Sequence, residues 1–134
     1  MEQEGKLWNG QKNTIRLYIS LYGPTHCLRI WKDVVRVLGG PQYISFRLNK
    51  DMSSMLIECA EEKHKLSFKI ADDFYLNAEQ EMKVISTSFV EGLMIRNELD
   101  LAESYHVEGV YSEKNNVVVF NLKNAERLCN EVEG

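Results

Sequence analysis

Six basic side chains in the first half of the chain are of the types that contact nucleic-acid phosphates. Arg29 and Lys32 flank a predicted strand-to-helix junction, and Arg36 lies one turn beyond Lys32. Lysine and arginine pair with phosphates, and arginine also reads guanine edges in the major groove. The sequence therefore predicts contact with double-stranded DNA through a basic set of six residues: Arg16, Arg29, Lys32, Arg36, Arg47 and Lys50.

The uneven distribution of charge supports a second interpretation. Residues 1–70 carry 11 Lys or Arg and 7 Asp or Glu, whereas residues 71–134 carry 5 and 13. The net charge of −4 is not typical of a strongly basic nucleic-acid binder, and an acidic surface favours association with a basic protein. The alternative is therefore an interaction or inhibitor module that does not bind DNA. Its predicted residues are the acidic Glu98, Asp100, Glu103, Glu108 and Glu113 and the aromatic anchors Trp8, Tyr18 and Tyr22. The same charges would also suit surfaces that only interact with water.

The residues that most often perform catalysis or bind metals are scattered along the chain. His26, His64 and His106 fall in three different segments, and none has metal-ligand spacing to a second His or Cys. No glycine-rich phosphate loop is present, and no nucleophile, base and orienting group share a motif. The sequence predicts a protein that is not an enzyme and that has no cofactor and no metal.

The cysteines and the N-terminal sequence indicate the compartment. Three cysteines, an odd number without a CxxC pair, favour a reducing environment. Residues 1–6 are polar, which predicts no secretory signal, and no apolar run approaches the roughly 20 residues of a membrane span. We expect a cytoplasmic monomer or homodimer without membrane contact.

Alternating hydrophobic patterns predict a mainly β domain with short helices. From Thr14 to Tyr22, every second residue from Ile15 to Leu21 is apolar, which predicts a half-buried strand. From Trp31 to Leu38 the apolar spacing is helical, with Trp31 on the same face as Val34 and Val35. The sequence Gly39-Gly40-Pro41 then predicts the end of that helix.

The same order of elements recurs in the second half, which predicts a β-β-α-β-β unit repeated twice. The repeats cover about residues 14–60 and 65–122 of a single domain at 14–134, after a flexible arm at 1–13 and before a short C-terminal helix at 125–132. Two such halves would close a common barrel and remove exposed strand edges. Three segments of the first half correspond to three of the second: 28–31 to 83–86, 43–48 to 105–110 and 55–57 to 118–120.

A strand that ends in a glycine turn, a short strand leading into a helix with a Leu-Gly end, and a hairpin form a recognisable series. Here they are residues 15–23, then 28–39, then 43–60. This series resembles the swapped-hairpin domain of the AbrB and MazE transcription regulators and antitoxins, and the chain also resembles small uncharacterised bacterial proteins. The resemblance implies an AbrB-like swapped-hairpin barrel formed as a pseudo-dimer within one chain. It implies a DNA-binding or antitoxin-type regulatory function for the basic first half.

Overall fold

The computed structural model describes residues 15–62 and 67–128, which form a mainly β fold with two short helices. The predicted N-terminal arm, with Trp8, lies outside the described residues, as do His64 and residues 129–134. A single turn of 3-10 helix, Leu122–Asn124, precedes the last strand. The elements are β1 Tyr18–Tyr22, β2 Cys27–Trp31, α1 Lys32–Val37, β3 Tyr43–Leu48, β4 Ser54–Cys59, β5 Ser67–Lys69, β6 Glu81–Ile85, α2 Thr87–Arg96, β7 Ser104–Ser112, β8 Val117–Asn121 and β9 Glu126–Arg127.

The strands form one antiparallel sheet that curls into a half-barrel. Its order is β5-β3-β4-β8-β7-β1-β2-β6, and β9 lies beside β7. Because side chains alternate along each strand, one face supplies the core and the other faces outward. The inner face carries fully buried residues such as Ile19, Leu28, Ile57 and Phe120, and both helices add apolar side chains to this core.

The start of β1 differs from its predicted extent. The strand begins at Tyr18, and Ile15 is 63% exposed although it had been placed on the buried face. The backbone N–H of Arg16 donates to Asp33 Oδ2 at 2.9 Å, whereas the carbonyl of Leu17 accepts from the N–H of Gly109, so contact with β7 begins only after Arg16. Ile15 is thereby left at the rim of the outer face.

The junction between β2 and α1 also differs from the prediction. Trp31 is the last residue of β2 and has extended backbone angles, so it points outward and does not join Val34 and Val35 in the core. Its indole Nε1 donates to Ser20 Oγ at 3.3 Å on the neighbouring strand. The predicted end of the helix is confirmed: Leu38 is the C-cap, and Gly39 and Gly40 both have positive φ.

A ten-residue segment at 71–80, the strap, connects the edge strands β5 and β6. Phe74 on the strap is buried in the core, and the Tyr75 hydroxyl donates to the carbonyl of Pro41 at 2.7 Å. Burial raises the pKa of Tyr75 to about 12, so this phenol stays protonated as a donor. The buried ring of Phe74 and the hydrogen bond of Tyr75 therefore hold the strap in place between the two edge strands.

Strand β7 runs past three neighbours. Its first part pairs with β1 on one side and β9 on the other, and its second part pairs with β8. Gly109 lies at the transition, and a Cβ there would be 2.6 Å from the Phe120 ring. Only glycine lets this ring pack directly on the β7 backbone.

The C-terminal segment contradicts its predicted helix. In place of a helix from residue 125, Ala125 has extended angles and residues 126–127 pair with β7; residues 129–132 lie outside the described part. The segment is extended because it pairs with the backbone of β7 at Tyr105 and His106. No helix among the described residues is long and apolar enough to span a membrane.

Candidate binding groove on the outer face of the sheet

Three aromatic side chains from adjacent strands meet on the outer face of the sheet. Tyr18 on β1 lies between Trp31 on β2 and His106 on β7, with ring centroids 5.2 Å and 5.1 Å apart. The alternation of the strands dictates this placement, because Ile19, Ile30 and Val107 beside them face the core. The contact with His106 is edge-to-face, a favourable arrangement for two rings.

Two members of this row, Tyr18 and His106, line both of two adjoining cavities, which together we call the outer groove. The larger cavity, about 650 Å³, lies over β7 and extends to Asn124 and Glu126. The smaller, about 360 Å³, lies over β1 and extends to Ile15, Arg16 and Trp31. Tyr18, His106 and Glu108 line both cavities. These volumes are in the range of small-ligand and side-chain pockets.

Exposed apolar residues lie at the two ends of the outer groove. Ile15 is 63% exposed at the end near β2, and Val110 is 70% exposed at the end near the 3-10 turn. Large aliphatic side chains that flank aromatic rings lose unfavourable contact with water when another surface covers them. The groove therefore offers apolar contact area along its length.

Charged groups are unevenly placed within the outer groove. Glu126 Oε1 lies 3.1 Å from His106 Nε2, because the two residues are directly opposite in the β7–β9 ladder. Glu108 is opposite Tyr18 in the β1–β7 ladder and is exposed. Arg16 lies at the other end, with its guanidinium carbon 6.0 Å from the Trp31 ring centroid. Glu126 therefore lies at one end of the groove and Arg16 at the other, with Glu108 beside Tyr18 between them.

The polar groups of the groove do not include an accessible nucleophile beside the histidine. Ser20 is opposite His106 in the ladder, but it is 2% exposed and its oxygen accepts the Trp31 N–H. Within residues 15–62 and 67–128, no three His, Cys, Asp or Glu side chains are grouped to hold a metal ion. The arrangement is suited to binding by contact, charge and hydrogen bonding.

The structure corrects the predicted role of Lys32 in DNA contact. Lys32 is 2% exposed, and its Nζ donates to the backbone oxygen of Asn77 at 2.9 Å. The ammonium also lies 4.6 Å from the centroid of the Phe74 ring, a cation–π contact. Lys32 therefore fastens the strap to α1 and is not available to a phosphate.

Two further predicted DNA contacts are paired with carboxylates. Arg29 Nη1 lies 3.3 Å from Glu81, and the guanidinium covers the Tyr22 ring at 4.5 Å. Burial has the largest single effect on Arg29 and lowers its pKa, but hydrogen bonds to Glu81 and Cys27 and charge interactions with Tyr22 and Glu81 together outweigh it, so the pKa is raised. Arg47 donates a bidentate hydrogen bond to Glu58, through Nε at 2.9 Å and Nη2 at 3.3 Å, and this raises the pKa of Arg47. Both guanidinium groups have part of their donor capacity occupied.

The remaining three members of the basic set, Arg16, Arg36 and Lys50, are exposed at separate places. Arg36 lies in the last turn of α1, and Lys50 lies in the turn between β3 and β4. Arg16 precedes β1 at the rim of the groove. Because β1 and β3 are separated by β7, β8 and β4 in the sheet, these side chains do not share one strand face.

The predicted acidic and aromatic set is divided between the groove and other places. Glu98, Asp100 and Glu103 lie in the connection from α2 to β7, and Glu113 lies in the turn after β7. Among the described members of that set, only Glu108 and Tyr18 line the outer groove; Tyr22 lies beneath the Arg29 guanidinium, and Trp8 is outside the described residues.

The residues missing from the predicted sets include three groove side chains with aromatic or charged groups, which are Trp31, His106 and Glu126. The alternation of residues 105–111 places His106 on the same face as Glu108, so the sequence is sufficient to predict that His106 faces outward. Glu126 was not, because its segment was assigned to a helix.

Comparison with known proteins provides no relative from which the use of the groove can be transferred. No family model, curated protein or solved structure matches this chain.

Proposed function

We propose that this chain is a non-catalytic binding module that captures a segment of a protein partner in the outer groove. The observation that carries the proposal is the row Trp31–Tyr18–His106, held at ring spacings near 5 Å across three strands and flanked by Ile15 and Val110. Rigid aromatic residues within an apolar surface are the commonest energetic centres of protein interfaces. This agrees with the alternative function expected from the acidic second half.

The geometry favours a protein partner over DNA. One of the six basic side chains is buried, two are paired with carboxylates, and the other three are dispersed around the fold. The groove itself carries Glu108 and Glu126, which would repel a phosphate backbone. DNA binding through Arg16, Arg36 and Lys50 remains the second candidate, supported by their exposure alone.

Substitution of Tyr18 is the direct test of the proposed function. A photo-crosslinking residue at Val110, in the cells that make the protein, should capture one partner, whereas the same residue at Lys50 should not. Tyr18→Ala should then weaken binding of the purified partner by roughly 30-fold or more, as expected of a central interface aromatic.

Tyr22→Ala is the matched control, because Tyr22 lies on the same face of β1 but outside the groove. It should change affinity by less than about threefold. Equal losses in the two variants, or equal capture from Val110 and Lys50, would contradict the proposal. Anisotropy of a labelled DNA duplex, measured as salt is raised, tests the second candidate; binding that falls with salt and is lost in an Arg36→Glu, Lys50→Glu variant would favour DNA.

We also propose that the chain consists of two β-β-α-β-β repeats whose hairpins are exchanged, as in the AbrB-like barrel. The pairing supports this: exchanging β1–β4 for β5–β8 converts the β1–β7 ladder into β5–β3 and the β3–β4 hairpin into β7–β8. The same exchange leaves β2–β6 and β4–β8 as they are. Among the described residues the β1–β2 ladder has no counterpart, because β5 and β6 lie at opposite ends of the strand order and the strap connects them.

The buried faces favour correspondences that differ by one residue from two of those predicted. Ile30 corresponds to Val84, and Ile44 corresponds to Val107, since these residues face the core. The predicted match of 55–57 with 118–120 agrees with the burial, because Met55 and Val118 both face inward.

Separate expression of the two halves tests the repeat. Residues 1–62 and 67–134 should form a stable one-to-one complex when mixed, since each hairpin finds its outer neighbours in the other half. Size-exclusion chromatography with light scattering measures the stoichiometry. Two halves that fold as separate monomers would contradict exchanged hairpins.

A further inference from the structure

We infer that the larger cavity of the outer groove is a seat for a guanidinium or ammonium group, so that the captured segment is basic. This inference rests on the proposed function and specifies the chemistry of the partner. The seat is formed by the ring of Tyr18, the imidazole of His106 and the carboxylates of Glu108 and Glu126. An arginine or lysine side chain of the partner would enter it from the Val110 end.

The charges around the larger cavity select a cation. Its lining residues include two carboxylates and neither Lys nor Arg, whereas Arg16 lines only the smaller cavity. Opposite charges brought together at the rim of an interface guide association and exclude competing partners. An anionic segment would meet Glu108 and Glu126 with no Lys or Arg on this part of the groove, where Glu126 Oε1 contacts His106 Nε2.

The aromatic side chains provide the second part of the recognition. A cation over the face of a tyrosine is attracted by the electron density of its ring, and arginine also stacks on such faces through its planar guanidinium. Carboxylates beside the ring can accept the N–H groups of the same guanidinium. The seat therefore combines ring stacking and negative charge at one place. Citrulline, the neutral analogue of arginine, could stack on the ring but would not pair with the carboxylates as a cation does.

The volume fits one long side chain with its flanking backbone. At about 650 Å³ the cavity is larger than a single ring requires, and the exposed side chain of Val110 extends it with apolar surface. The aliphatic stem of arginine or lysine can lie along such surface while its charged end reaches the carboxylates.

Titration with a single amino-acid derivative tests the seat without the partner. Amide chemical shifts of the intact protein would be followed by NMR as N-acetyl-arginine methylamide is raised to about 10 mM, a range that detects weak binding. Shifts confined to the residues around Tyr18, His106 and Glu108 are expected. The citrulline derivative should produce shifts at least about fivefold smaller at the same concentration.

Two variants establish which charges are responsible. The double variant Glu108→Gln, Glu126→Gln should lose most of the response to arginine, whereas Glu113→Gln, in the turn beyond β7, should keep it. Equal shifts with citrulline, a full response in the double variant, or no shifts at all would overturn the cation seat. None of these results would affect the crosslinking from Val110 or the affinity of the Tyr18→Ala variant, so the proposed function is judged separately.

Discussion

Gly23→Ala is expected to lower the free energy of unfolding by more than about 3 kcal/mol, because the new methyl group would collide with backbone. Gly23 ends β1, and its N–H donates to the carbonyl of Glu103 at 3.1 Å. A Cβ at this position would lie 2.2 Å from the Leu101 carbonyl oxygen and 2.7 Å from that of Glu103. Backbone carbonyls cannot rotate away as a flexible side chain can, so the turn after β1 must separate from the segment leading into β7.

Urea unfolding monitored by circular dichroism measures this effect through the midpoint. The matched control is Gly92→Ala in the interior of α2, where the nearest group is the methyl of Met52 at 3.8 Å. That variant should gain about 0.5–1 kcal/mol, since alanine favours a helix more than glycine does. A Gly23→Ala protein that unfolds at the wild-type midpoint would show that the two segments do not approach as described.

Lys32→Ala is expected to cost about 2–4 kcal/mol, the second large effect. The substitution removes a fully buried stem and leaves the carbonyl of Asn77 without its 2.9 Å donor. It also removes the cation from the Phe74 ring. The strap loses its attachment to α1, so its amides should exchange with solvent faster than those of the sheet.

Two further variants separate packing from charge at Lys32. Lys32→Met keeps most of the stem and should lose less stability than Lys32→Ala, whereas Arg36→Ala, exposed on the same helix, should change it by less than about 0.5 kcal/mol. The readouts are urea midpoints and hydrogen exchange at residues 74–77. If Lys32→Ala lost no more than Arg36→Ala, the strap would not depend on this ammonium.

The local patterns of the sequence were sufficient to predict a mainly β fold with short helices, but not every boundary. The inward positions of β1 and β8, such as Ile19, Leu21 and Phe120, follow directly from period-two alternation. Trp31 satisfied two patterns at once, as the first residue of a helical stripe and the last residue of a strand. Trp31 belongs to the strand because it pairs with Glu81 of β6. That residue is fifty positions away in the chain, so no local sequence pattern contains both.

Register explains why two correspondences of the proposed repeat differ by one residue from those that the sequence pattern predicts. Side chains in a strand change face at every step, so a single-residue shift exchanges the buried set for the exposed set. Ile30 and Val84 face the core, and only the ladder between β2 and β6 reveals this. Residue types alone did not, because both strands contain apolar residues on their outer faces, such as Trp31 and Ile85.

The candidate groove was predictable only in part for the same reason. Tyr18 follows from the outer face of β1, and Glu108 from the alternation of β7. Glu126 lies beside them only because β9 pairs with β7, and the sequence of this two-residue strand has little pattern that would predict a strand. The burial of Lys32 was likewise hidden, because its acceptor Asn77 is 45 residues away in the chain.

The three ladders of β7 affect how a segment of a partner would bind in the outer groove. The ladders pair every residue of β7 with a neighbouring strand, on both sides at Tyr105 and His106, so this strand opens only when those ladders break. The floor of the outer groove is this same strand. An arriving segment therefore meets a surface that is already ordered, and the entropy lost on association falls almost entirely on the segment.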